Sequence, residues 1–535
     1  MRSRQIKLSL AAALVLLLGA VDTVAQSSDA VFRDKMTSAV MKVYDDHLAQ
    51  NPNDYNILFA RAHQNYYNGD YTAALADVNQ ALLLTPKTDK ELRFDEYILR
   101  ARISDARHDY AGELADLRLA LELQPKSLPC TDLMAKASLK SGDLNAAEKA
   151  FKTILRAESM NYDAMYGLAQ VELARGNGKA ALDHVNKAVG LFRVEPQVYI
   201  NRADIYTRQG NIDAAVQDLL NGMSVGDGGN AAQCLFDLSD THYDAVMASL
   251  ATIADQSTDA GIYRYLRANI AIDHCRYAQA LKDLNQILRN HQYDSHTAYY
   301  NAARCCFELG RYDEAIPLVN QALALDPSQA EYYVLKAQAE YYVGDGGHAD
   351  VAMDWLERCS LIAPQSVSML LAKAALYIHQ GQDDTALGYL NAAVANDPGN
   401  AEALLTRALV LQRKGNDPLA LKNLNTMLLL DDDVYDLKGF AHSLLGHDND
   451  ALVWLNQITA TSLPGGENYY YAALLMAMRG DHYKAMEYVE KAIELGYASK
   501  HRLQREELLP VTLQPLRTEP GFDLLIEKAQ PNFVE

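Results

Sequence analysis

The chain has 535 residues, with 49 Lys and Arg against 69 Asp and Glu, a formal net charge of −20, and 49% of its positions are hydrophobic. With 29 Gly and 15 Pro, this composition excludes both wholesale disorder and a collagen-like chain. The acidic excess repels phosphate backbones and leaves little to drive counterion release, which argues against a nucleic-acid partner.

In chain order, residues 1–25 read as an export signal. Arg2, Arg4 and Lys7 form a basic start, Leu8 to Ala20 an apolar run, and Thr23, Val24 and Ala25 a small-residue cleavage site before Gln26. The apolar run is shorter than the roughly 20 residues a spanning helix needs, and the first cysteine is Cys130, so no lipid acceptor follows the signal. The expectation is a soluble periplasmic or secreted protein with no membrane span in the mature chain. Residues 29–52 follow as a capping helix built on Val31, Phe32, Met36, Val40 and Tyr44, ending before Pro52.

From residue 53 the chain repeats itself. Gly69-Asp70-Tyr71-Thr72-Ala73-Ala74-Leu75, Gly142-Asp143-Leu144-Asn145-Ala146-Ala147, Gly210-Asn211-Ile212-Asp213-Ala214-Ala215 and Gly310-Arg311-Tyr312-Asp313-Glu314-Ala315 are one unit recurring. The turn position falls at 69, 108, 142, 176, 210, 241, 275, 310, 347, 381, 415, 446 and 480, most often 34 residues apart. Small residues recur in register, as Ala62 with Ala74, Ala135 with Ala147, Ala169 with Ala181 and Ala374 with Ala386. Two helices approach closely only where such side chains face each other. A third small position follows seven residues on, at Ala81, Ala188, Ala322, Ala393 and Ala492. Pro86, Pro125, Pro327, Pro364 and Pro398 end second helices.

This pattern resembles the tetratricopeptide repeat family, whose 34-residue unit is a pair of antiparallel helices. The resemblance implies an all-α, right-handed superhelical solenoid of about 13 units: five over 53–222, three and the first helix of the ninth over 223–346, and the rest over 347–497. Residues 498–535, with Leu508, Leu509, Leu513, Leu516, Phe522, Leu524 and Leu525, are expected to cap the last unit. Glu113 and Val246 replace the second-helix alanine, and Ile154, Ile253, Ile287, Met427 and Ile458 enlarge the third position, so wider interfaces are expected there. The loops Gly226 to Gly229 and Gly344 to Gly347 lack the context of a phosphate cradle and read as bends open to proteolysis.

No catalytic motif is found, and no non-repeat block is large enough for a catalytic domain, so no enzyme activity and no cofactor are assigned. His274, Cys275, His291, His296, Cys305 and Cys306 lack metal-ligand spacing, and Asp431, Asp432, Asp433 and Asp436 lack the rest of a calcium loop; no metal site is assigned. Cys234 and Cys359 stand at small packing positions and are expected to be buried thiols. Cys275 and the Cys305–Cys306 pair are near enough to leave a bridge open.

One correlation is internal to the chain. Arg61, Arg100, Arg202, Arg267 and Arg407 each precede the small first-helix residue, and 16 residues later stand Asp77, Asp116, Asp218, Asp283 and Asn423. Where Met134, Leu168, Ala302 or Lys373 replaces the arginine, the second position is Ala150, His184, Leu318 or Tyr389. Pairs present together and absent together suggest a guanidinium–carboxylate clip between the helices of a unit; the competing reading turns the arginines toward a ligand.

The family resemblance implies that first helices line a concave groove that holds a peptide or a partner's helix. Carried over unit by unit, it places Phe59, His63, Tyr66, Tyr67, Tyr166, Tyr265, Asn269, Tyr300, Arg304, Tyr341 and His379 on or near that surface. Of the aromatics, Tyr numbers 32 against 10 Phe and 2 Trp, suited to a wet binding surface, although a tyrosine also packs between neighbouring helices. The implied function is a non-enzymatic scaffold in the periplasm or secretory compartment that binds a protein or peptide; the alternative is an exported holdase for unfolded segments.

Overall fold

The computed structural model describes residues 40–226, 228–292, 295–344, 347–430, 435–460, 465–504 and 511–534, so the signal segment lies outside the described residues. Within them every regular element is helical. The chain divides into two compact units, the first ending at Leu235 and the second starting at Phe236, each a solenoid of stacked antiparallel helix pairs.

In the first unit a helix over 40–50 precedes five pairs: Tyr55–Tyr67 with Tyr71–Leu84, Lys90–Ala106 with Tyr110–Leu123, Leu128–Lys140 with Leu144–Ala157, Tyr162–Ala174 with Gly178–Leu191, and Pro196–Arg208 with Ile212–Met223. In the second unit the pairs are Ala260–Asp273 with Tyr277–Arg289, His296–Glu308 with Tyr312–Leu325, Ala330–Tyr342 with Ala349–Ile362, Val367–His379 with Asp383–Asn396, Ala401–Arg413 with Asp417–Leu428, Tyr435–Leu444 with Asp448–Thr459, and Glu467–Met478 with His482–Glu494. Where the sixth pair is expected, the helical span Gly229–Gln256 is two helices that meet at a kink at His242, whose backbone leaves helical geometry (φ −135°, ψ 39°).

Short polar side chains start these helices. Asp70, Asp109 and Asp143 accept from the amides of Ala73, Gly112 and Ala146 at 2.9–3.0 Å, each satisfying one of the amides a helix start leaves unpaired. The turn before each cap needs a left-handed residue, which Gly69, Gly142, Gly210 and Gly446 supply with φ of 74–84°. Where glycine is missing, His108 (φ 59°) and Cys275 (φ 52°) take the same conformation. Thr241 does not, and the sixth pair breaks at His242 with a negative φ in place of a left-handed turn.

Packing follows the small-residue register. Ala62, Ala74, Ala81, Ala135, Ala147, Ala181, Ala374 and Ala386 are all fully buried, and each pair joins the next through a core such as Ala147, Phe151, Ile154, Ala164 and Leu168. Ile154, Ile287, Met427 and Ile458 are buried at their enlarged positions, while Ile253 is half-buried. Glu113, at an alanine position, is 4% exposed, and its Oε2 has no hydrogen-bond partner.

All six cysteines are thiols, so the bridge left open between Cys275 and Cys305 or Cys306 is not formed. Cys359 is buried, but Cys234 is half-buried, contrary to expectation; it lies in the kinked pair Gly229–Gln256, ahead of the break at His242 that stands in for a glycine turn. The aspartates 431–433 lie outside the described residues.

Candidate functional site: the first-helix faces

The arginine positions decide first which side chains are free for a ligand. Arg61 donates from Nε and Nη2 to Asp77 at 2.8 and 2.7 Å, Arg100 to Asp116 at 2.8 and 2.6 Å, and Arg202 to Asp218 at 2.6 Å twice. Arg267 grips Asp283 in the same bidentate way. These arginines therefore tie the two helices of a unit and do not project toward a ligand. The bond to the aspartate holds each guanidinium pKa above its usual value.

In three of the four the remaining guanidinium nitrogen does something the spacing did not signal, reaching back to a preceding helix. Arg61 meets Asp45 at 2.6 Å, Arg100 meets Asn79 at 2.8 Å and Arg202 meets Asn186 at 2.8 Å, so one side chain stitches three helices. Arg407 has only Asn423 at 2.7 Å and Asn391 at 3.2 Å. Its Nε and the Asn423 Nδ2 are buried without partners, and burial lowers its pKa. Lys373 replaces the fork with contacts to Ser360 (2.8 Å) and Glu357 (3.1 Å) and lies 5.5 Å from the Tyr389 ring centre.

In the first unit the aromatic candidates form a ladder along Tyr55–Tyr67. Phe59 meets His63 edge-on at 5.9 Å between ring centres, His63 meets Tyr67 at 5.1 Å, and Tyr66 meets Tyr67 at 5.7 Å. Phe59 and Tyr66 lean on the buried core, whereas Tyr67 is 68% exposed. The next first helix sets exposed Asp95 and Arg102 near His63, whose pKa is lowered by burial and by Arg102, against the pull of Asp95. Further along, Lys140 bridges back to Asp105 (2.5 Å) and Lys136 pairs with Asp132 (2.6 Å). Tyr166 is half-buried and donates to Asp204 on the following first helix at 2.8 Å. Aromatic faces at one end and alternating charges beyond them make a surface that suits an extended polypeptide.

The second unit departs from expectation. Tyr265 (0% exposed), Asn269 and Tyr341 are buried, so three residues expected to face a ligand do not. Asn301 donates to Asn269 at 2.8 Å, and Asn269 donates to the Tyr265 carbonyl at 2.7 Å, so these side chains join neighbouring first helices. Tyr300 is half-buried and stacks on Tyr332 at 4.6 Å. Arg304 is half-buried beside Tyr277, Tyr300 and Glu308. His379 is exposed, edge-on to Tyr341.

A segment from near the C-terminal end covers part of this face. Arg276 donates to the Leu495 carbonyl (3.3 Å), Ser499 to Glu308 (2.5 Å) and Arg502 to Glu467 (3.2 Å). The hydroxyl of Tyr312 pairs with His501 Nδ1 at 2.9 Å, and Phe307, Tyr312 and Tyr342 surround the His501 ring at 4.4–6.0 Å. A cavity of about 420 Å³ remains, lined among others by Tyr341, Leu371, Glu402, Thr406, His501 and Arg517. The segment expected to cap the last pair thus also packs, within its own unit, on helices far earlier in sequence.

A tetratricopeptide repeat model matches residues 133–196, 265–330 and 335–427, and a second tetratricopeptide repeat model matches 196–224. The chain belongs to the tetratricopeptide repeat family. Such repeats imply a protein–protein interaction scaffold. It is 25% identical over 245 residues to DnaJ homolog subfamily C member 3 of Gallus gallus, covering 41% of this chain and 48% of that one, and 24% identical over 233 residues to Tetratricopeptide repeat protein 16 of Homo sapiens, covering 44% and 22%. The chain thus spans about half the length of the DnaJ homologue. Among solved structures, a thermophilic tetratricopeptide repeat protein of Thermus thermophilus aligns with a TM-score of 0.31 at 21% identity, over 35% of this chain and 98% of that one.

Proposed function

We propose that the protein is an exported, non-enzymatic scaffold that holds an extended segment of a protein partner on the first-helix face of its first unit. The observation that carries this reading is the contrast between the two faces: Tyr67, Asp95, Arg102, Lys136 and Arg208 are exposed, while Tyr265, Asn269 and Tyr341 are buried. Rigid aromatic rings give contact area at little entropic cost, and the flanking charges set register and partner choice. Export rests on the basic and apolar start of the sequence and its small-residue site before Gln26.

The test is affinity capture with the full chain, followed by crosslinking and mass spectrometry. One stoichiometric partner, crosslinked near Tyr67 and Arg102 and lost in a Phe59→Ala/Tyr67→Ala variant, is the expected result. A broad set of unfolded clients would favour the holdase. Amino-terminal sequencing of the mature protein tests export separately, with Gln26 the expected first residue.

A further inference from the structure

We propose that the turn joining Tyr435–Leu444 to Asp448–Thr459 is a binding site for a divalent transition-metal ion of the Zn²⁺ class, held by His442, His447 and Asp450. One nitrogen of each imidazole and one carboxylate oxygen lie within 4.8 Å of one another. The backbone fixes this convergence: Gly446 takes the left-handed conformation (φ 74°), and the His447 amide closes onto the His442 carbonyl at 2.9 Å. Donors around a tetrahedral zinc lie about 3.3 Å apart, and His447 and Asp450 are exposed, so side-chain rotation alone closes the difference.

The second observation is that none of the three side chains is otherwise engaged. No hydrogen bond or ion pair holds any of them among the described residues, and His442 Nδ1 is buried with no partner. A buried polar atom left unpaired in a native fold calls for a water or an ion. The repeats supply internal controls, since the same three positions hold Asn65, Asp70 and Ala73 in the first pair and Leu411, Asn416 and Leu419 in the eleventh. The other convergent set, Asp240, Asp273 and His274, differs because His274 is bonded to Ser239 at 2.8 Å.

Two imidazoles select a borderline ion over calcium or magnesium, which prefer all-oxygen sites. One carboxylate leaves the ion net positive, with a coordination position open to water or to a partner's side chain. Bound there, the ion would tie the end of one helix to the start of the next.

The experiment titrates ZnCl₂ into the full chain, purified without a histidine tag and stripped with chelator, and follows heat; Co²⁺ is used separately for its visible spectrum. The expected result is one ion per chain with four-coordinate cobalt bands, and affinity at least about tenfold weaker in both His447→Ala and Asp450→Ala. Circular dichroism of these surface variants establishes that they fold. No saturable binding would overturn the proposal, as would unchanged affinity in the His447→Ala/Asp450→Ala double variant. Loss of binding in Asp273→Ala, with those two variants unaffected, would place the ion at the other cluster and also overturn it.

Discussion

Asn423 stands where four other units carry aspartate, and both it and Arg407 keep a buried nitrogen without a partner. Asn423→Asp should therefore complete a fifth clip and raise stability by about 1 kcal/mol, read by chemical denaturation. The reverse change, Asp218→Ala, strands a guanidinium between helices and should cost about 3–5 kcal/mol. Glu113 sets a pH dependence. Burial, with Asp105 adding to it, pushes its pKa up to about 7, so the folded chain keeps the proton while the unfolded chain releases it near 4.5. Its contribution is most favourable below about pH 4.5, falls as pH rises to about 7 and is flat above, a loss of about 3 kcal/mol. Glu113→Gln should remove that slope from a stability–pH profile. The clip could be read from the sequence because its 16-residue spacing lies inside one rigid unit. The third contact could not, because it crosses between units, where the spacing is 16 residues to Asp45 and Asn186 but 21 to Asn79.

At the scale of the helix pair, the turn is the most legible feature, since a left-handed residue followed by a cap is a local demand that glycine and aspartate announce. His108 meets that demand at a cost, because a side chain there crowds its own backbone by about 1–2 kcal/mol. His108→Gly should recover about 1 kcal/mol, and Gly142→Ala should lose a similar amount, both measurable as shifts in melting temperature. The sixth pair departs from the others at this same position. Thr241 occupies the turn position without a left-handed backbone, and the two helices meet at a kink at His242 instead of a glycine turn. Limited proteolysis should cut first near exposed Gly344 and Gly347, ahead of the helices that flank them.

At the scale of the molecule, the stacking of helix pairs was readable and the second unit's first-helix face was not. Periodicity reports which residues face a neighbouring helix, and it placed Tyr265, Asn269 and Tyr341 on the right helices. It carries no information about a segment that returns from far along the chain, because such contacts recur nowhere else in the sequence. In an ordinary repeat array each contact spans little more than one repeat, and folding can begin anywhere and spread. Here Ser499 bonds Glu308 across 191 residues, His501 meets Tyr312 across 189, and Arg276 reaches the Leu495 carbonyl across 219. Closing loops of that length carries an entropic cost that must be met before the contacts return anything. The second unit should accordingly complete its structure late, after residues 495–502 have left the ribosome, while the first unit matures early. Pulse-labelled hydrogen exchange should show amides of 55–223 protected first and those of 296–312 only in a later phase that Ser499→Ala/His501→Ala slows.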